Sequence, residues 1–123
     1  MPKARVGLPA GGRVALLHHR GHGVPHLDVV MSAGPRCPTL KLWRQEGRWR
    51  WSWQPVHRRR YLAWQGPISG ERGQVAQLLV GRYWWDGEVL CLQSAAMKKP
   101  LRLILGRHGV VRGCPFGHSS PHA

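Results

Sequence analysis

Apolar and polar residues alternate along several short stretches of this chain, a pattern that predicts β-strands. The clearest alternation spans residues 48–53, where Trp49, Trp51 and Trp53 are separated by arginine and serine. Because side chains of a strand point to opposite faces in turn, the three tryptophans share one face. Such a stripe could stack nucleic-acid bases. Three large aromatic side chains on one face are more typical of a packed barrel wall, and we favour that interpretation.

Glycine, proline and polar turn residues bound six further predicted strands, which are 13–19, 26–32, 39–44, 74–80, 88–94 and 101–105. Asp86–Gly87 is a strong hairpin signal, and no long segment has the period of a helix. We therefore expect an all-β fold, either a small antiparallel β-barrel or a strongly curled sheet. It would occupy residues 13–105, with a flexible leader at 1–12 and a disordered tail at 106–123.

The chain is strongly basic. Its 123 residues carry 19 Lys and Arg against 5 Asp and Glu, a formal net charge of +14. The length fits one domain. Such a charge attracts polyanions, of which nucleic acid is the commonest, and makes the binding salt-dependent. A GC-rich genome would raise the arginine content, but it does not explain the scarcity of acidic residues.

Three widely spaced cysteines, Cys37, Cys91 and Cys114, form no CxxC pair. This spacing disfavours a zinc ribbon and a disulfide framework, and it favours the reducing cytoplasm. No apolar run is long enough for a transmembrane helix, and the first residues lack the apolar core of a signal peptide. We expect a cytoplasmic monomer without membrane contact.

Two histidines and an aspartate form the most informative cluster. His26 and Asp28 are two residues apart, so on a strand they share a face, and His19 ends the preceding predicted strand and can approach from beside them. Two imidazoles and one carboxylate are a plausible three-ligand set for a divalent metal with open positions. In so basic a chain, a metal site suggests a substrate that carries phosphate.

A second cluster follows the tryptophan stripe and consists of His57, Arg58, Arg59, Arg60 and Tyr61. Histidine can act as a general acid or base. Arginine pairs with phosphate oxygens through two parallel hydrogen bonds, and tyrosine can hydrogen-bond a phosphate. The alternative is an ordinary solvated loop, which is the usual fate of a run of charges.

Taken in order, the two clusters resemble the 3′-phosphoesterase domain found at the N-terminus of bacterial DNA ligase D and as small stand-alone proteins. The family signature begins with a histidine and then His-x-Asp, as in His19, His26 and Asp28. It continues with a histidine followed at a spacing of four by a tyrosine, as in His57 and Tyr61.

Two further stretches carry the resemblance. Residues 40–43 are similar to a Leu-x-Thr-Trp segment, and residues 61–73 are similar to a run of short relatives that ends in Gly-Pro-Ile-Ser-Gly-x-Arg-Gly. The similarity covers residues 13–83, and 84–105 more loosely. The gap between His19 and His26 is one residue longer than in the ligase-linked members, so His18 or His22 are alternative ligands.

The resemblance implies a small β-barrel enzyme that trims 3′ ends of DNA before strand joining by removing a terminal phosphate or ribonucleotide. It implies that His19, His26 and Asp28 hold a divalent metal, with manganese first and zinc as the alternative. His57 and Tyr61 would contact the scissile phosphate. The implied partners are DNA 3′ ends or other nucleic acid, and end-joining repair proteins.

Two departures from the family favour a different function. Val30 stands where the ligase-linked members have a phosphate-binding arginine, and Gln65 stands where the family has glutamate. The alternative hypothesis is a non-catalytic basic β-barrel that binds nucleic acid, and a third is an unrelated arginine-rich protein.

A weaker candidate for a zinc site lies in the tail, where the spacing of four residues could bind zinc but no predicted strand holds them in place (His108, Cys114, His118, His122).

Overall fold

An antiparallel sheet, curled into a nearly closed barrel, makes up most of the part of the chain that the structure describes. The computed structural model describes residues 8–21, 23–63, 65–68 and 73–112, and of residues 55–60 it describes the backbone alone. The strands within this part are β1 (Gly11–Arg20), β2 (His26–Met31), β3 (Arg36–Gln45), β4 (Arg48–Arg58), β5 (Gly66–Pro67), β6 (Gln74–Asp86), β7 (Val89–Gln93), β8 (Leu101–Leu105) and β9 (Val111–Arg112). Two 3₁₀ helices accompany them, η1 (Arg59–Leu62) and η2 (Arg107–Gly109). The predicted all-β barrel is confirmed.

The sheet has the order β4-β3-β2-β1-β6-β7-β8-β9, and the two residues of β5 pair with β6. Strands that are neighbours in this order are also consecutive in the chain, except β1 and β6, which pair across the intervening strands. Glu46 and Gly47 connect β3 to β4 with φ values of 53° and 76°. Positive φ at both loop residues is the turn geometry that matches the twist of a hairpin. Gly87, with φ of 60°, serves the β6–β7 hairpin, one residue later than the Asp86–Gly87 signal predicts.

Side chains close the barrel between its two outermost edges. Arg50 of β4 forms a bridge with Val110, and its guanidinium donates to the carbonyls of Gly109 at 3.2 Å and His108 at 3.1 Å. Trp51 Nε1 donates to the carbonyl of Gly106 at 2.9 Å. These bonds cover an edge of β4 that would otherwise be open to pairing.

The barrel interior is apolar and aromatic. Trp49 and Trp51 are buried, and Trp53 packs against the same core. The interpretation of the tryptophan stripe as a barrel wall is therefore confirmed. The other buried members of this core come from every strand of the barrel except β4 and β5 (Val14, Leu16, Leu27, Val29, Met31, Leu40, Leu42, Tyr83, Trp85, Leu90, Leu92, Leu103, Leu105, Val111).

A second apolar cluster lies on the outside of β1 and β2, so these strands are buried on both faces. We call it the outer cluster, and its members are Ala15, Leu17, Val30, Cys37, Leu62 and Val75, with Tyr61 and Ile68 packed against it. The segment from η1 to β5 folds back to cover it. Gln77 of β6 holds this segment against the sheet with two hydrogen bonds: its amide Nε2 donates to the Leu62 carbonyl, and its backbone N–H donates to Gln65 Oε1.

Two strands extend well beyond their predicted ends. Strand β6 is one strand of 13 residues rather than a strand ending at residue 80. Gly81, which the sequence suggests as the end of a strand, lies inside β6. A glycine is required there because a Cβ would collide with the Gln93 carbonyl of β7. Strand β4 continues to Arg58 instead of ending at Trp53.

Part of each predicted terminal segment belongs to the barrel. Residues 106–112, predicted as disordered tail, form η2 and β9, and β9 pairs with β8. The hydrogen bonds from Arg50 and Trp51 hold this segment in place. Gly11 and Gly12, predicted as leader, begin β1 and pair with β6. Residues 1–7 and 113–123 lie outside the described part, and within that part no helix is long and apolar enough to cross a membrane.

Candidate metal centre

His19, His26 and Asp28 come together on the outer face of β1 and β2. The strand register places His19 directly opposite His26, and it pairs Asp28 with Leu17, one pleat away from His19. All three side chains therefore share the face that carries the outer cluster. Their donor atoms lie within 4.8 Å of one another. We call this group the His-Asp trio.

The distances within the His-Asp trio suit a small cation. His26 Nε2 lies 3.3 Å from Asp28 Oδ2, and His19 Nδ1 lies 3.8 Å from the same oxygen. The two imidazole rings meet edge to face with centroids 4.8 Å apart. Ligand bonds of about 2.1 Å place neighbouring ligand atoms roughly 3.0 to 3.4 Å apart in octahedral or tetrahedral geometry. Small rotations of the rings would reach that range, so the donor set fits a divalent metal.

A backbone carbonyl sets the tautomer of His26. Its Nδ1 lies 2.9 Å from the Val24 oxygen, which can only accept a hydrogen bond, so Nδ1 carries the hydrogen. In the neutral ring, Nε2 then holds the lone pair, and Nε2 is the nitrogen that faces Asp28. A metal-ligating histidine commonly has its other nitrogen held in this way.

Asp28 changes the electrostatics of the site. Burial lowers the pKa of His26, but the hydrogen bond and negative charge of Asp28 outweigh burial and raise the pKa above the ordinary 6.5, against the opposing charge of Lys41. Asp28 is itself 3% exposed. A buried carboxylate requires a positive partner. His26 in its protonated form can meet that need, and a divalent cation would meet it in its place.

An open cleft of about 570 Å³ lies beside the end of β1, at Arg20 and Gly21. Arg20, Pro67, Ile68 and Gln74 contribute to its walls. Arg20 follows His19 in β1, and Gln74 is the cross-strand partner of Arg20. The cleft has room for a small ligand and a cationic side chain in its lining, but His19, His26 and Asp28 are not among its lining residues.

Tyr61 lies on the same side of the sheet as the His-Asp trio. Helix η1, which carries it, contacts β1 and β2. Its side chain is partly buried against the outer cluster, whose members Leu17 and Val75 are the cross-strand partners of Asp28 and His19. The structure therefore brings Tyr61 to the neighbourhood of the trio, where it also has a packing role.

The backbone of His57 lies further away. The register pairs His57 with Cys37 and Asp28 with Lys41, so the two rows are four residues of β3 apart. At roughly 3.3 Å per residue this is about 13 Å along the sheet. The side chains of His57, Arg58, Arg59 and Arg60 lie outside the described part of the structure, so their predicted roles stay predictions.

Of the two alternative ligands, His18 lies on the wrong face. It is the cross-strand partner of Leu27, whose side chain belongs to the barrel interior, and it is 5% exposed. His22 lies outside the described residues. In the predicted tail cluster, His108 belongs to η2, while Cys114, His118 and His122 also lie outside the described part.

The two positions that depart from the family have structural roles. Val30 is fully buried in the outer cluster with Leu62, so this position offers no group to a phosphate. Gln65 accepts a hydrogen bond of 3.1 Å from the backbone of Gln77. Sequence reasoning did not identify Lys41, the cross-strand partner of Asp28. Its alternation with Leu40 and Leu42 places it on the outer face, but only the register shows which residue it faces.

Comparison of the chain with protein-family models, with curated proteins and with solved structures returns no match.

Proposed function

We propose that this protein is a metal-dependent phosphoesterase that removes terminal groups from the 3′ ends of DNA. The observation that carries the proposal is the convergence of His19, His26 and Asp28 on one face of the barrel, with donor atoms within 4.8 Å of one another. The spacing of His57 and Tyr61 and the net charge of +14 support it. In this proposal a cytoplasmic monomer produces ends that end-joining repair proteins can use.

His19, His26 and Asp28 would hold the metal. Manganese is the first choice because the resemblance to the 3′-phosphoesterase family implies it, and zinc, which also accepts imidazole and carboxylate ligands, is the alternative. When bound, the metal supplies a Lewis acid that polarises a phosphoryl oxygen. Two packed strands carry all three ligands, so the barrel holds them without a large loss of conformational freedom on binding.

The remaining groups would act on the substrate. In the reaction, water attacks the phosphorus, the bond between phosphorus and the 3′ oxygen breaks and that oxygen takes a proton, while one proton of the water stays on the released phosphate and the other returns to the proton donor. His57 is the proposed source of the proton, and the Tyr61 hydroxyl is proposed to orient the phosphate. Arg58, Arg59 and Arg60 would attract the DNA backbone in a salt-dependent way.

A phosphate-release assay tests the proposal. The substrate is a DNA oligonucleotide with a 3′ phosphate, incubated with protein and Mn²⁺. Asp28→Asn removes the buried charge and should lower the rate by roughly a hundredfold or more, because metal catalysis is worth several kcal/mol. Asp86→Asn is the matched control, since Asp86 is a 63% exposed carboxylate paired with Arg102. Equal rates for the wild type and Asp28→Asn would refute the proposed metal centre.

Burial of Val30 favours the second candidate, a non-catalytic nucleic-acid-binding barrel. A phosphate-binding arginine is absent from a position that here belongs to the outer cluster. This candidate predicts tight, salt-sensitive binding of DNA with no release of phosphate by the wild type. The same assay therefore separates the two functions.

A further inference from the structure

Lys41 is the cationic side chain that the fold places beside the His-Asp trio. Its Cα is the cross-strand partner of Asp28. Directly opposed residues on neighbouring strands have their Cβ atoms about 5 Å apart on the same face. The charge of Lys41 acts on His26 from this position. Lys41 thus shares the outer face of the trio.

An aromatic ring, rather than a carboxylate, holds the ammonium group of Lys41. Its Nζ lies 5.2 Å from the centroid of the Trp43 ring, which is on the same face of β3. Among the described residues, Lys41 forms no ion pair with Asp28 or with another acid. A cation held by a ring keeps its hydrogen-bond donors available to an anion, whereas an ion-paired cation does not.

The position two residues after Asp28 supplies no cation to the site. Val30, two residues after Asp28, is buried and apolar, although the resemblance leads us to expect an arginine that binds phosphate there. Lys41 lies on the neighbouring strand, next to Asp28. An ammonium group is a compact charge with three donors, so it can bind a phosphate oxygen without the fixed geometry that arginine requires.

We propose that Lys41 binds the terminal phosphate of the substrate and that Trp43 provides the adjacent surface for the last nucleoside. The inference rests on the proposed function and adds two binding residues to it. Lys41 takes a non-bridging oxygen of the phosphate, and the Trp43 ring offers its face to the base, as aromatic side chains do in single-strand binding. This arrangement selects a 3′-phosphorylated terminus over a 3′-hydroxyl one.

The test measures binding rather than turnover. Two DNA oligonucleotides of the same sequence, one ending in a 3′ phosphate and one in a 3′ hydroxyl, are titrated with chelator-treated protein, so that the phosphate is not released during the measurement, and fluorescence anisotropy gives the ratio of their Kd values. Lys41→Met should reduce the wild-type preference for the phosphorylated end by roughly tenfold or more, the value of a hydrogen bond to a charged group. Lys41→Arg keeps a cation at this position and should retain most of the preference.

Lys99→Met is the matched control, because Lys99 is exposed in the β7–β8 connection and its loss changes the net charge equally. A preference that Lys41→Met retains would overturn the inference and leave the proposed function standing. A wild type with neither a preference nor phosphate release would overturn the proposed function itself. If Lys41→Met does not fold, Lys41→Gln keeps a polar stem of similar length, and full preference in that variant would equally overturn the inference.

Discussion

Replacement of Asp28 by asparagine should reverse the direction in which His26 departs from its ordinary pKa. Two causes that raise the pKa of His26 come from Asp28, its hydrogen bond and its charge, and an asparagine side chain would supply no negative charge. Burial, the largest cause, would remain and lowers the pKa, and Lys41 adds to that effect. The Val24 carbonyl alone would oppose them. We therefore expect the pKa of His26 to fall from above 6.5 to below it.

The same change alters how stability depends on pH. In the metal-free wild type, a raised pKa means that His26 stabilises the fold below its unfolded pKa and that this stability is lost as pH rises through the folded pKa. In Asp28→Asn the sign is opposite, so acidification destabilises the fold. The lost interaction is worth about 1.5 kcal/mol, the lower end for hydrogen bonds to charged groups. The lower end applies because the distance of 3.3 Å from His26 Nε2 to Asp28 Oδ2 is long for a hydrogen bond between charged groups.

Two measurements check this prediction on protein treated with a chelator. Proton NMR of the His26 ring gives its titration curve in the wild type and in Asp28→Asn, and urea unfolding at pH 5 and pH 8 gives the free energy of unfolding. Asp86→Asn is again the control, and its His26 curve should match the wild type. An unchanged His26 curve in Asp28→Asn would refute the argument, because Asp28 would then exert no field on the ring.

Three further predictions concern the barrel and its covering segment. Gly81→Ala should destabilise the fold by about 1 to 3 kcal/mol, because its Cβ would collide with the Gln93 carbonyl, and calorimetry should show the loss; a wild-type Tm would contradict the close approach of β6 and β7. Arg50→Met should cost about 1 to 3 kcal/mol and speed amide exchange at Val110, where the barrel closes; unchanged exchange would mean that the closure does not depend on this side chain. Gln65→Met should cost about 1 kcal/mol while Gln65→Glu, which keeps an accepting oxygen, costs less, as urea unfolding would show; equal losses would contradict the hydrogen bond to the backbone of this segment.

Local patterns were sufficient to predict most of the strands. The period of two around Trp49 and Trp51 predicted both a strand and its buried face, and 101–105 matches β8. The predicted strand end before Gly81 was wrong, because a glycine in a strand pattern can mark either a turn or the close approach of another backbone. The end of the barrel could not be predicted, since β9 depends on hydrogen bonds from Arg50 and Trp51 more than fifty residues earlier.

Some features of the candidate site could be predicted from the sequence, and others depend on how the strands pair. The spacing of His26 and Asp28 predicted a shared face, because a strand's period depends on the backbone alone. The approach of His19 required a register that the connection between β1 and β2 sets. The position of Lys41 beside Asp28 could not be read from the chain, since it depends on how β3 pairs with β2. Burial of Val30 likewise follows from the segment that folds back over the sheet.

The central claim is that one cation binds to His19, His26 and Asp28. The most direct test is pulsed electron paramagnetic resonance of the Mn²⁺-loaded protein with ¹⁵N-labelled histidine. The account predicts one bound Mn²⁺ per chain coupled to two imidazole nitrogens, and coupling to one nitrogen in His19→Gln. Absence of imidazole coupling in the wild type, or two coupled nitrogens in His19→Gln, would contradict it.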